Sequence, residues 1–381
     1  MTSQSVPIET QATAAYGDTS FSSQYPASRS GPPNLPAEES CGHNFQPFNV
    51  PFRKFKITYL PQTPLELFQL FIPSSYVYRW IDYTNSWVSH LIENGVVDNW
   101  DRPLEQTSRI LDWDGLSSSQ VYIWLGMLIY LGIHRENAIE DHWNTPRPGV
   151  HSPFHLITKF MPLRKFELIT CYLRLFDYSK YLHIDLNDIP KVFQVVDEWS
   201  NHIQCMSALL FQPGSSVAVD ECMIRYTGRS KDTTLVRNKP TPLGFKVWVI
   251  AQEGFFINWM WYIKGSQVSL YGVERQRRKG GKGKNSLDDF ELLSNTQRVV
   301  VVLCDRLPIQ TYHVFLDNLF SSTALFALLR KHSYGATGTA RPNCGIRKDL
   351  QLAKLQDKSG KSGFIFNEFR VITSPDNLVG S

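Results

Sequence analysis

No stretch of this sequence is hydrophobic for long enough to cross a bilayer. Its most apolar run, Val121–Ile133, is broken by Gly126 and Gly132 and falls well short of the ~20 residues a spanning helix needs. Cysteine is scarce: Cys41, Cys171, Cys205, Cys222, Cys304 and Cys344 are scattered, with no Cys-x-x-Cys pair. That spacing excludes a disulfide framework or a zinc module and fits reduced thiols. The opening residues carry no charged-then-apolar leader, so the expectation is a soluble intracellular protein. Strong charge of either sign is also lacking, the net value being only +4. Aromatic residues, by contrast, are plentiful. With 23 Phe, 16 Tyr and 10 Trp in 381 residues, the chain can bury a sizeable core and has room for two domains.

The modest net charge hides an uneven distribution. From Glu221 to Lys284 there are thirteen Lys and Arg against four acidic residues, a local +9 that leaves −5 for the rest. Such asymmetry points to a polyanionic partner more firmly than the global charge does. Arg225, Arg229, Lys231, Arg237, Lys239 and Lys246 are the candidate phosphate contacts, joined by Arg275, Arg277, Arg278 and Lys279 in the run 275–284. That last run also reads as a nuclear localisation signal, and nuclear residence is expected.

Four segments follow from the pattern. Residues 1–44, rich in Ser, Thr, Gln, Pro and Ala, have no sustained apolar period and read as a disordered tail. Residues 45–212 read as a helical domain. Helices are expected at 64–71 (entered through Pro64), 76–94, 117–132 (with Ser117–Ser119 as caps), 161–177 and 190–210. The Trp and Tyr residues here are read as core. His142, His151 and His155 here, and His313 further on, lack ligand spacing.

From Pro213-Gly214 the period changes to that of strands. Runs at 216–226, 244–250 and 255–263 are followed by a helix from Leu287 to Cys304, a strand at 312–316, a helix at 321–332 and a Gly-rich turn at 335–338. Residues 213–340 therefore form an α/β domain, a ribonuclease-H-like mixed sheet preceded by the mostly helical domain. Residues 341–381 begin a further region.

Two carboxylates stand where apolar packing is expected. Asp220 lies within the strand-like run Ser216–Tyr226, beside Glu221, and Asp317 follows Val314-Phe315-Leu316 97 residues later. A carboxylate in so apolar a strand is costly unless it is paired or holds a cation. Two of them, with basic residues between, point to metal-dependent phosphoryl transfer on nucleic acid. For Asp317 the competing reading is a helix cap ahead of Ser321-Ser322. Glu221, adjacent to Asp220, must point to the other strand face.

Four blocks resemble the piggyBac transposase family. They are Val219-Asp220-Glu221 through Arg229, Asn238-Lys239-Pro240 through Gly244-Phe245-Lys246, Val314 through Asp317-Asn318 to Ser322, and Gly338-Thr339-Ala340-Arg341. The resemblance runs from about Phe45 to the C-terminus. It implies a ribonuclease-H-like fold in which three aspartates hold two Mg2+ (or Mn2+) ions, and cut-and-paste transposition of double-stranded DNA at transposon ends, with a homodimer as one option. Asp220 and Asp317 match the first two aspartates, as catalytic residues and metal ligands. No Gly-Gly-Val-Asp-x-x-Asp block supplies the third, so the chain is expected to be cut short before it and inactive by itself. The alternative is a domesticated or decayed DNA-binding protein without catalysis.

Overall fold

The computed structural model describes residues 46–98, 102–144, 153–181, 191–226, 228–237, 239–264, 290, 292–342, 344–360, 371–374 and 378–380. After a short strand, β1 (Lys56–Ile57), five helices of eight residues or more build the described first half: α1 (Pro64–Phe71), α2 (Ser74–Glu93), α3 (Ser118–Ile133), α4 (Leu163–Tyr172) and α5 (Lys191–Leu210). Local chemistry starts two of them. Thr63 and Glu66 form a reciprocal capping box ahead of Pro64, and Ser117 and Gln120 do the same for α3. Val77 and Trp80 of α2, Val121, Trp124 and Met127 of α3, and Phe166 and Ile169 of α4 make one core. Trp199 of α5 closes it, edge-on to Trp80 with centroids 5.4 Å apart. Trp80, Trp87, Trp124 and Tyr172 are core, as the sequence implies, whereas Tyr59 and Tyr78, read as core with them, are exposed.

Helix α4 stops at Tyr172, short of the expected end at residue 177. The cause is a long-range bond: the Arg174 backbone N–H donates to Thr84 Oγ1 (2.9 Å), drawing the chain out of the helix onto α2.

The second half is the expected mixed sheet. After β2 (Phe211–Gln212), which pairs with β1, come β3 (Ser216–Arg225), β4 (Thr234–Leu235), β5 (Leu243–Gln252), β6 (Phe255–Trp261), α6 (Asn295–Asp305), β7 (His313–Leu316), α7 (Thr323–Lys331), β8 (Gly335–Gly338) and α8 (Lys348–Lys358). Strand β5 lies antiparallel beside β3 and takes β6 and β4 on its other edge. On the far side of β3 come β7 and then β8, each parallel to its neighbour. The long path order is therefore β6-β5-β3-β7-β8. Glu253 and Gly254, both at positive φ, turn the tight hairpin between β5 and β6.

Residues 335–338, read from their glycines as a turn, are strand β8. Glycine serves here because neighbours crowd the strand. A Cβ at Gly335 would meet His313 Nδ1 at 2.6 Å, and one at Gly338 would meet Ser321 Oγ at 2.4 Å. The helix expected over Leu287–Cys304 is not continuous: α6 begins at Asn295, because the described residues 292–294 form a turn that runs into the Ser294–Gln297 cap. Val299 through Cys304 are all buried there.

Helices α6 and α7 pack on one face of the sheet, joining Val217, Val219, Trp248, Ile250, Val314 and Leu316 in the main core. Helix α5 covers the β5–β6 half of the other face. Trp259 Nε1 donates to Ser200 Oγ (2.9 Å), and Phe193 stacks on Trp261 at 5.0 Å. The segment before α1 also belongs to this sheet structurally. The Ser215 N–H donates to Arg53 O (2.7 Å), the Arg53 N–H donates to Ser215 Oγ (3.1 Å) and its guanidinium to Thr311 O (3.1 Å), and Phe55 stacks on Phe211.

Candidate functional site

The parallel register of β3 and β7 pairs Val217 with Val314 and Val219 with Leu316. An aspartate follows this last pair on each side, Asp220 in the middle of β3 and Asp317 just past the end of β7, so the two stand on neighbouring parallel segments whose backbones run ~4.8 Å apart. Strand alternation buries Val219 and Leu316 and leaves both aspartates on the opposite, exposed face. Helix α5 does not reach this part of that face, and Phe315, one pleat below Asp317, is 45% exposed.

Each carboxylate is oriented by one backbone bond. Asp220 Oδ1 accepts from the Glu221 N–H (2.7 Å) and Asp317 Oδ1 from the Leu319 N–H (2.6 Å). Neither aspartate has an ion-pair partner among the described residues. The cap of α7 is Ser322, whose side chain accepts from the Leu325 N–H, so the helix-cap reading of Asp317 does not apply. Around Asp317 the turn is tightened by Ser321, which donates from its hydroxyl to Asp317 O (2.9 Å). Over it, Arg341 Nε donates to Asn318 Oδ1 (3.1 Å).

Two neighbouring anions of this kind repel one another, and nothing described nearby offsets them. The donor set, hard carboxylate oxygens at a solvent-facing edge, fits a hard divalent cation such as Mg2+ or Mn2+. Among the described residues no group of three or more His, Cys, Asp or Glu is placed to hold a metal ion. A groove of about 550 Å3 lies between α7, the 338–342 turn and α8, lined by Ser321, Ser322 and Gly338 but by neither aspartate.

The candidate phosphate contacts divide into three groups. Arg225, Arg229, Lys231 and Arg237 are exposed at the end of β3 and in the connection to β5. Lys239 and Lys246 face Glu221: Lys246 Nζ lies 2.7 Å from Oε2 and Lys239 Nζ 3.6 Å from Oε1. Arg275, Arg277, Arg278 and Lys279 lie outside the described residues. Residue spacing alone did not reveal the Glu221 contacts. The signal available was the acidic pair itself, since a strand that exposes Asp220 must direct Glu221 inward, where it needs cations. The Asn318–Arg341 bond was likewise hidden, because it joins two of the four blocks across the sheet edge.

A family model described as Transposase IS4 matches residues 63–368. The human PiggyBac transposable element-derived protein 2 is 27% identical over 249 residues, covering 63% of this chain and 37% of that protein. Human PiggyBac transposable element-derived protein 3 is 25% identical over 247 residues, covering 64% and 37%. Each match thus spans little more than a third of the relative. A piggyBac transposase solved by cryo-electron microscopy, in a synaptic complex with hairpin DNA, shares the fold with a TM-score of 0.53 at 20% identity, over 76% of this chain and 54% of that one. Its ribonuclease-H-like architecture is the mixed sheet described above. With one family model spanning most of its length, and relatives and fold in agreement, this chain belongs to the piggyBac transposase family.

Proposed function

We propose that this chain is the DNA-handling part of a piggyBac-type transposase, with double-stranded DNA as its partner and Asp220 and Asp317 as the ligands of a catalytic divalent cation. The observation that carries the reading is the placement of two exposed carboxylates, each one residue beyond the last pair of the parallel β3–β7 ladder. The DNA-bound state of the structural neighbour and the exposed Arg225, Arg229, Lys231 and Arg237 beside the acidic pair support the choice of DNA. A bound Mg2+ or Mn2+ supplies charge stabilisation to a phosphate and acidifies a bound water. The protein's own part is to fix two oxygens of its shell and to hold the DNA backbone against the strand ends. The basic run 275–284 serves a nuclear address or further phosphate contacts.

The two aspartates would give one ion two fixed ligands and leave a second ion short of one. Positioning and charge supply most of the catalysis in phosphoryl transfer, so chain 1–381 binds metal and DNA without cutting. The test uses purified 1–381, Mn2+ and a radiolabelled DNA duplex carrying a transposon end. The expected result is Mn2+ binding that is lost in Asp220→Ala and in Asp317→Ala, with no nicked product. Nicking abolished by Asp220→Ala would establish an active enzyme and overturn the inactivity. Mn2+ binding unchanged in both variants would remove the metal site. DNA binding without cleavage in any cellular form of the protein is the second reading, favoured by the lack of a three-ligand group among the described residues.

A further inference from the structure

Strand alternation sends Glu221 to the face opposite Asp220, and its surroundings there are unusual for a carboxylate. Its side chain is only 12% exposed and lies across the ladder from Trp248. Lys246, 11% exposed, sits 2.7 Å from Oε2, at ion-pair distance but off the hydrogen-bonding direction. The same ammonium lies over the rings of Trp248 (4.0 Å) and Tyr262 (5.1 Å). An apolar residue would fill this space without desolvating two charges, so stability alone does not account for the arrangement.

What the arrangement supplies is geometry. The connection from β3 to β5 carries Arg229, Lys231 and Arg237 with their side chains exposed. Three ties hold it. Thr234 and Leu235 pair with Gly244 and Leu243 on β5. Lys264 Nζ donates to Lys231 O (2.9 Å) and to Thr233 O. Lys239 Nζ approaches Glu221 Oε1 at 3.6 Å. The first two ties fasten the connection to β5 and to the end of β6. Of the three, only the Lys239 tie reaches the strand that carries Asp220. From Trp248 the contacts continue to Phe320 (centroids 5.5 Å apart) and so to the turn that begins at Asp317.

We infer that Glu221 is a positioning residue for the DNA-contacting connection: through Lys239 it sets the direction in which Arg229, Lys231 and Arg237 are presented beside the acidic pair. This rests on the DNA reading above. Glu221→Gln keeps the shape and removes the charge, and the sign of its effect is diagnostic. By charge alone, removing an anion near a polyanion tightens binding. Positioning predicts the reverse, duplex DNA binding about threefold to tenfold weaker at fixed salt, as loosened cationic side chains must be re-ordered on association. The slope of log K against log salt stays unchanged, since the same counterions are released.

A second measurement needs no DNA. Amide hydrogen exchange at residues 228–237 rises in Glu221→Gln and in Lys239→Ala, while exchange within β6 stays as in the wild type. Equal or tighter DNA binding by a folded Glu221→Gln protein overturns the inference, and so does unaltered exchange at 228–237. A wild-type chain that fails to bind duplex DNA overturns the DNA reading instead, and the exchange comparison then still decides whether Glu221 anchors the connection.

Discussion

On the face of the sheet that carries Val217, Val219, Trp248, Ile250 and Leu316, helices α6 and α7 close the surface. The face that carries Ser216, Ala218, Asp220, Phe315 and Asp317 stays open over β3 and β7 among the described residues. The same strands supply both faces, one residue alternating with the next. On the packed face the apolar positions are decided by volume and by lost contact with water. On the open face the residues at the strand ends serve no packing need, and two like charges are kept side by side at some cost. Glu221 shows the rule from the other direction. Moved one residue along β3 from Asp220, a carboxylate is enclosed and must be met by lysines. Position on the strand decides whether an acid is available to a ligand or tied to its own protein.

Four variants, one of them a double substitution, sharpen this contrast. The largest effect is expected on the packed face. Leu303→Ala, at a site with no exposure in the last turn of α6, removes ~2–5 kcal/mol of stability, read as a lower urea midpoint. On the open side, Arg229→Gln with Arg237→Gln should leave the urea midpoint in place. It should also flatten the slope of log K against log salt for duplex DNA by ~0.9 for each cation lost, as read from filter binding at several salt concentrations. An unchanged slope would remove these arginines from the DNA surface.

Asp220→Asn relieves the repulsion with Asp317. The metal-free protein should gain up to ~0.5 kcal/mol, the range of exposed substitutions, while the rise in Tm on adding Mn2+ disappears. A fall in metal-free stability would mean that the carboxylate has an attractive role in the fold. The smallest effect belongs to His313. Burial holds its imidazole below the ordinary histidine value. Its effect on stability is therefore nil above about pH 6.5. Below that pH the unfolded chain takes up the proton first and stability falls. His313→Gln should reduce that acid-side loss in urea titrations run from pH 7.5 to 5.

The sequence disclosed what depends on neighbours along the chain. Apolar spacing located α1, α2, α3 and α5, the strand character of β3, β5 and β6 was plain, and Asp220 and Asp317 stood out because a charge in an apolar strand is conspicuous. What stayed hidden depends on partners distant in sequence. Arg174 ends α4 because Thr84 accepts its N–H, 90 residues away. Gly335 and Gly338 resemble turn residues in isolation. Only the approach of His313, Ser321 and Leu316 shows why a strand there needs glycine. Lys246 read as a phosphate contact by its charge, yet its ammonium lies over Trp248 and against Glu221. Composition records that a charge is present; only the register between β3 and β5 tells which face it serves.

The register between β3 and β7 has a consequence for the newly made chain. Strand β3 is complete at Arg225, but its parallel neighbour is not finished until Leu316. At the ~5–20 residues per second of synthesis, one edge of β3 waits about 5–20 seconds for its partner. During that interval the backbone groups beside Val217 and Val219 face outward without a ladder, the condition that invites pairing with another chain. The hazard for this protein is thus greatest on the ribosome, before either aspartate has met the other, and a chaperone that shelters residues 216–225 should raise its yield more than any stabilisation of the finished fold.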